Sequence, residues 1–433
     1  MSMTHEAFHY HSIEDIQRTA AQNGVFLPLA ADCGVLSRPV EIAGRELPNR
    51  VCLQPMEGTD GTPSGAPGAL TFRRYERFAK GGAALIWFEA VAVDPRVRAS
   101  ARQLCLTNEN LDAYKRIVDE TKEAGLKENG FAPMMIMQAT HSGRYSKPNG
   151  YPEPLIAYHC PPLEDTPLDA SCIVDDSDLR KYEQKFEETA RLARQAGFDG
   201  MDVKCCHRYL ACELLSAYTR PGAYGGSYEN RMRFIKNAYR AARAGGGEGF
   251  LLTSRVNVYD GFPYPYGFGV AEKGLSPDFS ESIRLIGELR AEFRIPMINV
   301  TMGNPCKNPH VNRPYDRGAY VPDEHPLLGV ARMMDGVRHI QRALPDVAVI
   351  GSAFSYLRQF SPNLAAGMLA EGSCAMAGFG RMAFAYPDFV KDLQSNGAID
   401  PAKVCVACGG CALLLRAGKP AGCVVRDREV YAL

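Results

Sequence analysis

Short apolar runs alternate with longer amphipathic stretches along most of this chain. Runs at 51–54, 84–89, 132–138, 200–204, 250–256, 296–301, 347–352 and 373–378 hold four to seven residues each, most of them apolar. Runs of that length without alternation suit strands covered on both faces, as in a parallel sheet. Between them, apolar residues recur at helical spacing over 70–79, 179–195, 229–242, 279–293, 329–343 and 364–371. Eight β-then-α units over about 340 residues predict an α/β fold, a (β/α)8 TIM barrel. A doubly wound sheet would want a Gly-rich turn after its first strand, and the chain contains no GxGxxG. A polar stretch over 1–35, with one short helix over 13–22 ended by Asn23-Gly24, reads as an N-terminal extension. The barrel is expected over 36–395, with 396–433 as a separate segment. Loops at 60–68, 145–178, 260–276 and 303–323 each follow a predicted strand. That edge is where a barrel builds its active site, and the longer loops are of a length that usually carries function.

Composition narrows the class. With 433 residues and 46% hydrophobic content the chain has a full core to bury. Its 49 basic and 49 acidic residues cancel, so nucleic acid and membrane surfaces receive no electrostatic support as partners. No apolar run reaches the length of a membrane span. The opening MSMTHEAFHYHSIEDIQ has no apolar leader core, which points to the cytoplasm. Fourteen Cys in that compartment imply reduced thiols and a metal in place of a disulfide framework.

Four of those cysteines carry a pattern. Cys405, Cys408, Cys411 and Cys423 are spaced C-x2-C-x2-C-x11-C around Gly409-Gly410. Three thiolates in such a row, with a fourth further on, suit a [4Fe–4S] cubane. Paired glycines let the backbone wrap a compact inorganic core. Tetrahedral zinc also takes four Cys, usually as two CxxC knuckles with a long gap. A cluster moves single electrons, so a redox partner is expected within the chain.

The predicted strand ends supply one. NRVCLQPM (49–56), YERFAKGGA (75–83), QATHSGR (138–144), GFDG (197–200), HRYL (207–210) and YGGSYENRMRF (224–234) follow in order. Together they resemble the old yellow enzyme family of FMN-dependent ene-reductases over about 36–425; the last motif is the most specific. With the C-terminal Cys set the chain resembles the iron–sulfur branch, which includes 2,4-dienoyl-CoA reductase and trimethylamine dehydrogenase. The resemblance implies FMN at the barrel mouth, a [4Fe–4S] cluster on the four Cys, and NAD(P)H as a candidate electron donor. It places Pro55, Met56 and Glu57 beside the flavin, Gln138 on its pyrimidine edge and Arg255 where the reduced ring becomes anionic. Gly351, Ser352, Gly380 and Arg381 end the last two strands, where barrels bind phosphate through backbone N–H groups. Relatives carry Thr, Cys or His at the position of Glu57, and a carboxylate there is unexplained.

On the proton side, relatives carry a His-x-x-His or His-x-x-Asn pair followed by a Tyr acid. Here Lys204 replaces the first His, while His207 and Tyr209 match. Lys204 and His207 would polarise a substrate carbonyl, and Tyr209 would protonate the α-carbon. His310, in a His-x-x-Arg arrangement with Arg313, is a second candidate acid. These residues predict reduction of an activated C=C bond in an α,β-unsaturated carbonyl compound. Oxidative dehydrogenation or demethylation on the same site, and an electron-transfer subunit, are the alternatives. An amine substrate calls for an aromatic cage, and the chain has one Trp. The larger relatives continue into FAD- and NAD(P)-binding domains, whereas this sequence ends ten residues after Cys423. The expected partners are therefore a small unsaturated substrate, an electron-donor flavoprotein or ferredoxin, and further copies of the chain.

Overall fold

Each of the eight apolar runs forms a parallel strand in the computed structural model, which describes residues 4–433. The strands are β1 (Val51–Leu53), β2 (Leu85–Ala92), β3 (Met134–Thr140), β4 (Gly200–Val203), β5 (Leu251–Thr253, continued as Arg255–Asn257), β6 (Met297–Thr301), β7 (Ala348–Gly351) and β8 (Met376–Phe379). Each pairs with its sequence neighbour, and β8 pairs with β1. The two halves of β5 flank Ser254: the first pairs with β4 and the second with β6. The Asn299 N–H donates to the Ser254 carbonyl at 3.0 Å, so the sheet closes on itself. These residues are almost all buried, which is why the runs read as continuous and not alternating.

A helix follows every strand: Ala69–Lys80, Leu111–Asn129, Asp176–Gln195, Arg233–Gly246, Ser280–Phe293, Pro326–Ala343, Ser361–Ala370 and Phe389–Asn396. Leu111–Asn129 and Phe389–Asn396 go beyond the helices the pattern predicts. A hairpin, Val40–Ile42 with Arg45–Leu47, closes the N-terminal mouth. Its Ile42 and Leu47 cap an apolar layer of Cys52, Leu85, Trp87, Met134 and Met297. The other end of the barrel stays open to the loops.

Two flanking segments fold over that open end. Before the helix Ile13–Gln22, which Ser12 caps, the Phe8 N–H donates to Asp316 in the loop after β6 at 3.1 Å. At the other terminus, Asp427 accepts from Arg73 and Arg77 of the first barrel helix, each at 2.7 Å. This anchors the segment that carries the four cysteines. No helix among the described residues is long and apolar enough to cross a membrane.

Candidate active site

The loops after the strands surround a cavity of about 1240 Å³, its open mouth included. Gln54, Pro55, Met56, Glu57, Gln138, Lys204, His207, Tyr209, Arg255, Ser352, Gly380 and Arg381 all line it. Eleven of the thirteen residues expected to bind flavin or handle protons at the mouth are among them; His310 and Gly351 are not. Gly351 instead offers its carbonyl to Gln54 Nε2 at 3.2 Å.

The floor is a buried polar layer. Asp202, on β4, accepts from Trp87 Nε1 (2.8 Å), Gln138 Nε2 (2.6 Å) and the Arg255 N–H (2.8 Å). Burial outweighs those donors and holds its carboxyl up to about 6. With the Gln138 NH2 engaged below, its carbonyl oxygen is the end left to accept from a ligand. Gln54 is set likewise: Asn299 Nδ2 donates to its oxygen at 2.7 Å while its NH2 reaches Ser352 Oγ at 3.0 Å. Asp202 and Asn299 carried no signal in the sequence beyond being polar residues inside apolar runs, and Gln54 lay within the NRVCLQPM motif without an assigned role.

The walls are cationic. Arg255 is buried; among the described residues its Nε has no partner, and its one side-chain hydrogen bond is to Thr301 Oγ1 at 3.5 Å. Burial lowers its pKa. Arg381, also buried, donates only to the Pro314 carbonyl at 3.1 Å. Arg313 faces the same space, and burial together with Arg381 pulls it down to about 10. Among the described residues none of these three guanidinium groups forms an ion pair with a carboxylate, so the cavity calls for an anion. Beside them a Cβ on Gly378 would lie 1.9 Å from Gln54 Nε2. Only glycine lets β8 approach the floor this closely.

The opposite wall gathers Lys204, His207, Tyr209 and Glu57. Lys204 Nζ sits 3.7 Å from the centre of the Tyr209 ring. The Tyr209 hydroxyl is 3.4 Å from Glu57 Oε2, and Gln103 Nε2 donates to Glu57 Oε1 at 2.5 Å. His207 Nε2 lies 3.2 Å from Asn312 Nδ2. Burial, with Arg255, Lys204 and Arg313 nearby, drives its pKa well below the usual imidazole value, so His207 is neutral and acts as a hydrogen-bonding group. His207 and Arg208 both adopt left-handed backbone, at φ 63° and 62°. Arg208 is fully buried and donates to Asp260 Oδ2 at 2.8 Å, tying this loop to the one after β5.

His310 does not join them. Its Nδ1 lies 2.5 Å from the Tyr320 hydroxyl, and its ring lines a small separate pocket with His5, Tyr315 and Glu324. The loop after β6 sends Asn312 and Arg313 inward and turns His310 away. His141 accepts from the Gly143 N–H at 3.0 Å and packs edge-on against Tyr182, which is an architectural role. The YGGSYENRMRF stretch is architectural too: Arg231 bridges the Leu215 carbonyl and Glu281, and Ser227 caps the helical turn Tyr228–Arg231.

The cysteine segment forms part of the cavity wall through Cys411, Ala412 and Leu415. Cys405, Cys408, Cys411 and Cys423 are all half-buried. Burial raises the Cys423 thiol, with Cys411 and Cys408 adding to it, and Cys411 and Cys423 act on Cys405 in the same way, so the four share one neighbourhood. The Ala407 N–H donates to Cys405 Sγ at 3.4 Å and the Arg426 N–H to Cys423 Sγ at 3.3 Å. Among the described residues no three His, Cys, Asp or Glu side chains are gathered tightly enough to hold a metal ion.

Residues 36–275 match the model of the NADH:flavin oxidoreductase / NADH oxidase family. The chain belongs to this family, that of the old yellow enzymes. It is 32% identical to an NADPH dehydrogenase of Geobacillus sp. (strain WCH70) over 216 residues, 48% of this chain and 59% of that protein. A metal reductase of Desulforamulus reducens is 24% identical over 398 residues, covering 90% of this chain and 53% of its own length. The solved structure of 2-naphthoyl-CoA reductase with 2-naphthoyl-CoA superposes with a TM-score of 0.75 at 20% identity, over 92% of this chain and 57% of that one. The chain thus spans about half the length of the curated relatives it matches. As an old yellow enzyme family member it takes FMN, and the cavity fits that group: an acceptor at Gln138, an unpartnered guanidinium at Arg255, and two further guanidinium groups toward the β8 edge.

Proposed function

We propose that the chain is an FMN-dependent ene-reductase, saturating the activated C=C bond of an α,β-unsaturated carbonyl compound. Bound FMN supplies the hydride. Gln138 would take the pyrimidine edge, Arg255 would meet the negative charge of the reduced ring, and Ser352, Gly380 and Arg381 would hold the phosphate. The observation that carries the reading is the meeting of Lys204, His207 and Tyr209 in the same cavity as those residues. Lys204 and the neutral His207 donate to the substrate carbonyl as enolate charge develops. Tyr209 gives its proton to the α-carbon, with the Lys204 ammonium over its ring to stabilise the phenolate left behind. His310 has no part in this step. A wall of Lys204, Arg255, Arg313, Arg381 and Arg416 suits a neutral or anionic carbonyl substrate and repels an alkylammonium, which disfavours amine oxidation.

The cysteine segment is read as the seat of a [4Fe–4S] cluster. The C-x2-C-x2-C-x11-C spacing and the two N–H···S bonds support it, since such bonds tune cluster sulfurs. A cubane holds its thiolates further apart than a single ion does. Cys411 borders the flavin cavity, so electrons would enter there one at a time from a donor protein, beside direct delivery from NAD(P)H. Anaerobic purification with flavin and iron assays, then a panel of enones with NADH, NADPH or reduced viologen, tests the proposal. Bound FMN and iron with enone reduction are expected. Tight FMN binding without reduction of any enone would contradict it.

A further inference from the structure

Among the described residues Glu57 is the one carboxylate lining the cavity, set beside the proton donor and tightly positioned. The Gly58 N–H donates to Glu89 Oε2 at 2.7 Å, and Glu89 is gripped by Arg74, which fixes the backbone next to Glu57. Its carboxyl is oriented by Gln103. The Gln103 oxygen accepts from the Ala99 N–H at 2.6 Å, so its NH2 is the end that faces Glu57 Oε1. The other oxygen, Oε2, is left to Tyr209 at 3.4 Å.

That arrangement has two states. When Glu57 is ionised, the Tyr209 O–H is drawn to the carboxylate. When Glu57 holds a proton, it can donate to the Tyr209 oxygen, and the Tyr209 O–H is free to point at substrate. We propose that Glu57 is the proton reserve of Tyr209, holding the phenol in its donating orientation and reprotonating it after each turnover. The inference rests on the ene-reductase reading. With reduced FMN supplying the hydride, the Tyr209 O–H bond breaks as the C–H bond forms at the α-carbon, leaving a phenolate. The Glu57 O–H bond then breaks as the phenol O–H reforms, and solvent returns the proton to the carboxylate. Burial raises the Glu57 carboxyl above the usual carboxylate range, against Lys204, Gln103 and Tyr209, which pull it down. The titratable groups facing it are Lys204 and Tyr209 from the loop after β4 and Cys306 from the loop after β6, with Tyr145 behind the Tyr209 ring.

Glu57→Gln is the test, because an amide donates to the phenol at every pH and never ionises. In flavin-free protein labelled with 13C-carboxyl glutamate, the resonance lost in Glu57→Gln should titrate above the ordinary glutamate range. In FMN-loaded protein, the single-turnover rate of enone reduction should fall about tenfold per pH unit above that midpoint in the wild type. That limb should be absent in Glu57→Gln. An ordinary glutamate titration, or an alkaline limb unchanged in Glu57→Gln, would overturn the proposal. Tyr209→Phe separates the two readings. If it reduces enones as fast as the wild type, the ene-reductase mechanism fails and the reserve with it. If it is slow while Glu57→Gln keeps the limb, only the role of Glu57 is lost.

Discussion

Several side chains of this site are held in states that water would not favour. Arg255 is the plainest: a buried guanidinium without a carboxylate partner, whose charge is useful only once an anion sits against it. Arg255→Met should therefore stabilise the flavin-free protein by about 1–3 kcal/mol while weakening FMN binding, a trade between stability and function. Urea unfolding of flavin-free protein and a flavin titration read the two effects separately. Asp202 is held up to about 6, above its unfolded value. A raised carboxyl contributes stability that is present at low pH and is lost as pH rises through its folded value. Between pH 4 and pH 7 the flavin-free wild type should lose roughly 2–3 kcal/mol from this group, a loss absent in Asp202→Asn. The difference between their urea-unfolding curves at the two pH values measures it. Neither residue's state was legible in the sequence. Arg255 matched a family position, but its isolation depends on what β4 and β6 bring beside it, and Asp202 looked like one polar residue in a strand.

At the scale of elements, the apolar runs were a reliable guide to strands because every strand is buried on both faces. The helices were read less completely. Leu111–Asn129 escaped because its buried positions, among them Tyr114, Ile117 and Val118, are interleaved with charged residues. Nothing local announced that β5 would break at Ser254, since the break serves closure with β4 and β6. The loop after β4 is the element on which the chemistry depends most. Two consecutive non-glycine residues in left-handed conformation, His207 and Arg208, turn Lys204 and Tyr209 toward the same space. The Arg208–Asp260 pair holds that turn. Arg208→Ala should cost about 3–5 kcal/mol by leaving the buried Asp260 without its counter-charge. Arg208→Gly loses the same pair but accepts the positive φ, so it should be less destabilising by about 1 kcal/mol. Urea midpoints of the two variants rank the ion pair against the backbone strain. His310 shows the limit of short motifs: its spacing to Arg313 matched, yet the turn at Pro309–Asn312 directs the two side chains to different pockets.

For the whole molecule, the barrel positions the cavity, the C-terminal segment shapes its rim, and the N-terminal segment packs on the loop after β6. The cysteine segment was singled out from spacing alone as a cluster site, and the fold places it on the cavity wall. If the cluster relays electrons, Cys408→Ser should abolish turnover driven by reduced viologen while leaving hydride delivery from NAD(P)H to FMN. Comparing the two donors under anaerobic conditions checks this, and full activity with both would make the segment structural.

The most direct measurement is anaerobic stopped-flow oxidation of photoreduced, FMN-loaded protein by an α,β-unsaturated ketone in deuterated water, for wild type and Tyr209→Phe. The wild type should reoxidise and release product deuterated at the α-carbon. Tyr209→Phe, with its flavin still bound, should be slower by about 10²–10⁴. Equal rates in the two proteins, or no reoxidation of the wild type by any such ketone, would contradict the assignment of this cavity to ene reduction.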